Sequence, residues 1–254
     1  MNPLTLSLIS FACIFAGVLL GMVLRTLLPE HHMSTETRDA VKLGTGIIAT
    51  LTALVLGLLI ASAKGTFDTM TNEIRQTGAR IVMLDQVMAQ YGTDTRDARD
   101  ILIRSLTSTI QRIWPAEIHT VTSANAYQPG NEFAILQDKL RQLSPHNNAQ
   151  RWLQSRALQI SADIMEVRWL LFEQVGQTTI PEPFLVVLVC WLIMIFTSFG
   201  LLSPRNGTVI FVMFVCALSV SAALYLILEL DRPYQGLMRV SSAPLNNALV
   251  LLGK

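Results

Sequence analysis

The chain has 254 residues, 51% of them hydrophobic and 15% charged, with 19 Lys and Arg against 18 Asp and Glu for a net charge of +1. Soluble domains carry about a quarter charged residues, so this composition excludes an ordinary soluble protein. The near-neutral balance also gives no electrostatic basis for a nucleic-acid partner. What remains is an integral membrane protein, with the lipid bilayer as its first partner.

Leu4 to Leu28 is the first apolar run, interrupted only by Arg25. No base precedes it in Met1-Asn2-Pro3 and its exit reads Leu-Leu-Pro-Glu-His-His-Met, so a retained anchor is expected rather than a cleaved signal peptide. Pro29 stops the helix. The connector Pro29 to Lys42 is short, so the first two membrane helices are expected as an antiparallel hairpin over residues 1–63.

The second run, Leu43 to Ala63, is uncharged and bracketed by Lys42 and Lys64, long enough to cross the roughly 30 Å hydrocarbon layer. Ala49, Ala53, Gly57 and Ala61 recur every fourth residue, with Thr45, Gly46, Thr50 and Thr52 beside them, while Ile47, Ile48, Leu51, Leu54, Val55, Leu58 and Leu59 take the other side. A small-residue ridge lets a neighbouring backbone approach closely in lipid. Two readings follow: a tightly packed helix, or several copies around an axis with this helix lining a pathway.

From Lys64 to Ile180 the composition changes to charge mixed with apolar residues at helical spacing, predicting a helical domain outside the membrane. Ile74, Ile81, Leu84, Met88 and Tyr91 extend the second helix to Tyr91-Gly92; Leu102, Leu106, Ile110 and Ile113 mark the next, ending at Trp114-Pro115. Gln128-Pro129-Gly130 is a turn signal, Asn131 to Leu143 a short helix, and Leu153, Ala157, Ile160, Ile164, Val167 and Leu171 mark a long one reaching Gln177. Together they predict an antiparallel cytosolic bundle over 64–180. Pro181-Glu182-Pro183 returns the chain to the bilayer for helices at 184–202 and 209–228, joined by a turn with Pro204 and Gly207; a polar tail, 231–254, closes the sequence.

Four crossings put both termini and the inserted domain on one side. Lys64, Arg75, Arg80, Arg168, Arg232 and Arg239 lie there, against Arg25, Arg38, Lys42 and Arg205 on the other, so the bundle and both termini are expected in the cytoplasm of a bacterial inner membrane.

Residues that could carry chemistry are sparse. Cys13, Cys190 and Cys216 sit singly in apolar runs, and the four histidines show no zinc-ligand spacing, so no metal and no other cofactor is expected. There is no Ser-His-Asp set, phosphate-binding Gly loop or paired intramembrane carboxylate, which argues against an enzyme. Asp68, Asp94, Asp97 and Asp100 are read as helix-start carboxylates rather than a chelating cluster. Glu229, Asp231 and Arg232 fit either an interfacial helix end or a latch onto the bundle. Lys64 and Arg25 fit snorkelling bases, or, for Lys64, a cationic ring at a pore mouth.

Two motifs then carry a resemblance. Thr52-Ala53-Leu54-Val55-Leu56-Gly57 with Ser62-Ala63-Lys64 resembles the Val-Leu-Gly helix of the bestrophin superfamily, and Asp231-Arg232-Pro233-Tyr234-Gln235-Gly236 is similar to its Asn-Pro-Phe-Gly turn after the last membrane helix. The layout is closer still to a bacterial bestrophin-like family of unknown function. The resemblance implies a homo-oligomer, pentameric in bestrophins, around an anion pathway whose neck is built from the second helix. Placing Val55-Leu56-Gly57 on the family's Val-Leu-Gly puts Thr50, Leu54 and Leu58 at the neck, leaving Ala49, Ala53, Gly57 and Ala61 to pack the helix against its neighbours. The neck aromatics of bestrophins are aliphatic or hydroxylic here. The acidic run that binds calcium after the turn is replaced by Leu237-Met238-Arg239-Val240-Ser241-Ser242, so calcium gating there is not expected.

The expectation is thus an all-α protein, four membrane helices with a helical bundle inserted between the second and third, working as an oligomeric channel for inorganic ions, anions by the resemblance. The rival is a non-conducting membrane scaffold or sensor acting through the bundle. A secondary transporter fits less well, because no broken helix or buried midplane charge marks a binding site.

Overall fold

The computed structural model describes residues 2–29, 34–114, 132–174, 180, 182–232 and 237–252, without the side chains of 170–174 and 182. Among them the chain is helical and contains no strand. The helices are α1 (Pro3–Leu27), α2 (Thr35–Tyr91), α3 (Arg96–Ile113), α4 (Glu132–Gln142), α5 (Asn148–Gln174), α6 (Glu182–Leu202), α7 (Gly207–Leu230) and α8 (Ala243–Leu251). Four of them, α1, α2, α6 and α7, are long and apolar enough to cross a membrane. The turn expected at Gln128-Pro129-Gly130 lies outside the described residues.

Boundaries differ from the sequence expectation chiefly at α2, which starts at Thr35 rather than near Leu43. Ser34 Oγ accepts from the Thr37 amide at 3.3 Å and Glu36 sits in the first turn, so a capped, acid-led start carries the polar residues before Leu43 into the helix. At its other end Gly92 takes φ 125°, open to glycine alone at low cost, and turns the chain into the short 3-10 segment Thr93–Thr95 before α3.

The chain divides into two compact units, Met1–Phe67 with Thr178–Met238, and Asp68–Gln177 with Arg239–Lys254. In the first, which holds the apolar spans, α1 packs against α6 and, less extensively, α7. The contact with α6 is backbone to backbone. A methyl group added at Gly21 would press on the Thr197 carbonyl and lie 2.8 Å from Leu201 N; one added at Gly200 would press on the Val18 carbonyl and lie 3.2 Å from Met22 N. Gly17-x-x-x-Gly21 therefore acts as a small-xxx-small contact, with Gly200 answering from the facing helix. Ile14, Val18, Leu188, Leu192 and Leu224 fill the surrounding core, and Phe214 meets Phe11 and Phe15 edge-on at 5.3 and 5.5 Å between ring centroids. Arg25 donates to the Ser203 carbonyl, so this base satisfies the C-terminal end of α6 as well as lying near a span end.

Of the apolar stripes expected from spacing in the second unit, Ile74, Ile81, Leu84, Met88 and Tyr91 on α2, Leu102, Leu106 and Ile110 on α3, and Ala157, Ile160 and Ile164 on α5 are buried, Ile113, Leu153 and Val167 are half-buried, and the Leu171 side chain lies outside the described residues. Phe133, Leu136 and Leu140 add the face of α4. The stretch expected as a tail carries α8, whose Leu245 and Ala248 are buried, and the division between the units falls inside it, after Met238. Trp114 Nε1 donates to the Val240 carbonyl at 2.8 Å, and the Pro244 carbonyl approaches α2 where only Gly78 leaves room.

Overpacking a close backbone contact costs about 1–3 kcal/mol or more. Gly21→Val and Gly200→Val are therefore each expected to lower the Tm of the detergent-solubilised protein by about 6 °C or more, taking ~3 kcal/mol at ~2 °C per kcal/mol for a chain of this size. Gly65→Ala, where an added methyl group meets open space, is expected to hold or raise Tm in the same thermal scan.

Candidate functional site

The span of α2 is attached to its own unit along one stripe. Thr45, Thr52, Leu59 and Ala63 are buried, with Ile48, Ala49, Val55 and Leu56 half-buried against the same core. Thr52 Oγ1 donates to the Ile48 carbonyl at 2.7 Å, so its hydroxyl costs nothing in that position. The opposite face is bare within the chain: Leu54 and Leu58 are each 70% exposed, and Thr50, Ala53, Gly57 and Ala61 are exposed as well. Of the small residues on this helix, Ala49 lies on the stripe packed within the chain, while Ala53, Gly57 and Ala61 are exposed within it. Residues spaced by four advance about 40° around a helix of 3.6 residues per turn, so a period-four ridge winds off any one face.

At the end of α7, Asp231 and Glu229 are buried and Arg232 is partly exposed. Glu229 accepts a hydrogen bond from the Leu237 amide, which folds the chain back on the helix end. Asp231 N and Arg232 N donate to the Ile227 and Glu229 carbonyls at 3.1 Å, tightening the last turn. Pro233, Tyr234, Gln235 and Gly236, the rest of the expected motif, lie outside the described residues.

The helical unit holds polar residues that the sequence reading passed over. Asp85, 5% exposed, accepts both arms of Arg99, Nε to Oδ1 at 2.6 Å and Nη2 to Oδ2 at 2.9 Å. That hydrogen-bonded carboxylate holds the Arg99 guanidinium more firmly charged than usual. Asp85 falls in step with Ile81, Leu84 and Met88, and Arg168 in step with Ile160 and Ile164, so a charge at an apolar-stripe position was the available signal. Arg168, counted from sequence among the bases flanking the membrane, is instead buried in this unit, at 9% exposed. Of the four aspartates read as helix starts, Asp94 and Asp97 occupy first turns, Asp100 lies one turn further in, and Asp68 sits inside the unbroken α2.

Helices alone among the described residues, four of them apolar and long enough to span, and a second helical unit built mainly from the segment between spans two and three, define a polytopic membrane protein. The sequence profile of the bestrophin-like domain matches residues 12–245, and the chain belongs to that family. Its fold is similar to the crystal structure of a bacterial bestrophin homologue from Klebsiella pneumoniae carrying a mutation I180T, with TM-score 0.60 over 96% of this chain and 97% of that one at 12% identity. No curated protein matches the chain.

Two predictions follow from the helical unit. Arg99→Met leaves the Asp85 carboxylate buried without its partner and is expected to cost about 3 kcal/mol, the low end for breaking a buried pair, read as a lowered Tm. Glu73 has a buried Oε2 without a hydrogen-bond partner, and burial raises its carboxyl above the ordinary value. The folded chain then holds this proton more tightly than the unfolded chain, so stability is lost as pH rises through the raised folded value. Glu73→Gln is expected to be more stable than the unaltered protein at pH 7, the gap in Tm closing below about pH 4, where the carboxyl is protonated in both states.

Proposed function

We propose that this protein is an oligomeric membrane ion channel, anion-conducting, with α2 of several copies around the axis and Thr50, Leu54 and Leu58 facing it. The observation that carries the reading is the bareness of α2. In its apolar window 11% is buried within the chain, against 33%, 28% and 22% for the spans of α1, α6 and α7. A span so little covered by its own chain has faces left for other copies, and Ala53, Gly57 and Ala61 give those copies a surface of small side chains to approach. Membership of the bestrophin-like family and the likeness to the Klebsiella homologue support the same assignment. Leu54 and Leu58, one helical turn apart, would form two aliphatic rings, a constriction of the kind that gates by excluding water. In this proposal residues 64–180 and both termini face the cytoplasm of a bacterial inner membrane, and Asp231, Arg232, Pro233 and Gly236 form the turn that follows the last span. No calcium site is included.

Ion flux into liposomes holding the purified protein tests this, comparing chloride with potassium for the unaltered chain and for Leu54→Ala with Leu58→Ala. Opening the two aliphatic rings is expected to raise flux at least several-fold with a preference for chloride. Flux no higher than in empty liposomes from both proteins would sink the channel reading and favour a non-conducting scaffold.

A further inference from the structure

The helical unit contains a cavity of about 40 Å³ where five of its helices converge. Ile74 and Ile81 of α2, Leu102 of α3, Phe133 of α4, Ile164 of α5 and Leu245 of α8 stand in its wall, and the surface it offers is almost wholly apolar. Every wall residue is buried except Thr109 and Ile113, which are half-buried. The space therefore belongs to the core of the unit rather than to its outer surface.

The polar side chains at its border are turned to other partners. Thr77 Oγ1 donates to the Glu73 carbonyl at 2.8 Å and Thr109 Oγ1 to the Ser105 carbonyl at 2.7 Å. Ser105 Oγ accepts from Arg168 Nη1 at 3.1 Å, and the Arg168 guanidinium carbon lies 5.1 Å from the centre of the Phe133 ring. Arg168 Nε is buried beyond the reach of a water-sized particle. By the ~10–15 Å³ that one water needs, the cavity has room for two or three, but a buried water is held by about three hydrogen bonds to groups that lack other partners. Such groups do not face this space. An apolar cavity of this kind stays dry and takes up small apolar molecules.

We propose that this cavity binds one small apolar molecule without hydrogen-bonding groups, of the size of xenon or dioxygen. The bound particle restores to Ile81, Leu102, Phe133 and Ile164 the dispersion contacts that a gap in the packing denies them. Benzene is excluded by size, since a cavity that accepts it measures about 150 Å³. Because α2, α3, α4, α5 and α8 all supply wall residues, binding stabilises the helical unit by mass action. The site is separate from the pathway proposed for α2.

The test uses xenon as the probe and the full-length protein. In crystals of the unaltered protein held under xenon gas, an anomalous peak is expected between Ile81, Leu102, Phe133 and Ile164. In detergent, xenon is expected to raise Tm over helium at equal pressure. Ile164→Phe, whose larger side chain fills the space, is expected to abolish both the peak and the rise, and should it not fold, Leu102→Phe takes its place. If neither folds, the xenon map of the unaltered protein decides. A map without a peak in the cavity overturns the proposal, as does density for hydrogen-bonded water there in crystals kept from xenon. A rise in Tm that persists in a folded, filled variant originates in the spans or the detergent and overturns it too. Benzene raising Tm of the unaltered protein but not of the filled variant would overturn the size limit.

Discussion

Inside a bilayer, the lipid is as apolar as the side chains, so helices stay together where their backbones come close enough for dense van der Waals contact. In this protein that closeness is created by Gly21 on α1 and Gly200 on α6, where a single added methyl group would strike main-chain atoms, with Gly17 one turn earlier set against the Thr197 hydroxyl. The contact decides how the membrane unit is divided. With α1 and α6 locked at backbone distance and α7 joined through Phe11, Phe15 and Phe214, the core is largely built before α2 is counted. The span of α2 adds Leu59 and Ala63 to that core and leaves its other face outside it. The span of α2 is thus the least covered of the four.

The helical unit is built differently, by burial of the apolar stripes of amphipathic helices. Its exceptions are then the informative residues. Asp85, buried, and Arg99, half-buried, form a two-pronged pair between α2 and α3. Arg168 occupies similar ground with a hydroxyl and a ring for company. Removing Arg99 would leave the Asp85 carboxylate buried without its partner.

Much of this was legible in the sequence for a plain reason. A span needs about 20 apolar residues, and a bundle helix repeats its apolar residues every three or four, so both leave long one-dimensional traces. The four spans and the stripes through Ile74, Leu102 and Ile160 were found that way. What depends on two segments at once left no such trace. The backbone-close contact at Gly17, Gly21 and Gly200 was not legible in this way, because a small residue shows its partner only in three dimensions. Asp85 finds Arg99 across a turn, and α8 is nine residues of weak pattern that hold only by packing on their unit. The post-helix motif was legible as a pattern, and its two described residues, Asp231 and Arg232, close the last turn of α7.

The chemistry of the bare α2 face limits what it could contribute to the proposed channel. Thr50, Leu54 and Leu58 carry no charge, and the Thr50 hydroxyl is turned to the Gly46 carbonyl at 2.9 Å, so even its proton is committed within the helix. An aliphatic constriction discriminates between wet and dry and between small and large, but its side chains supply no sign of charge. Preference for anions over cations would therefore have to come from charged groups or helix ends away from that constriction, where their field acts on ions still in water and weakens with salt. Gating and selectivity would then reside in different parts of the chain, and changing the leucines should alter how much passes far more than which ion passes.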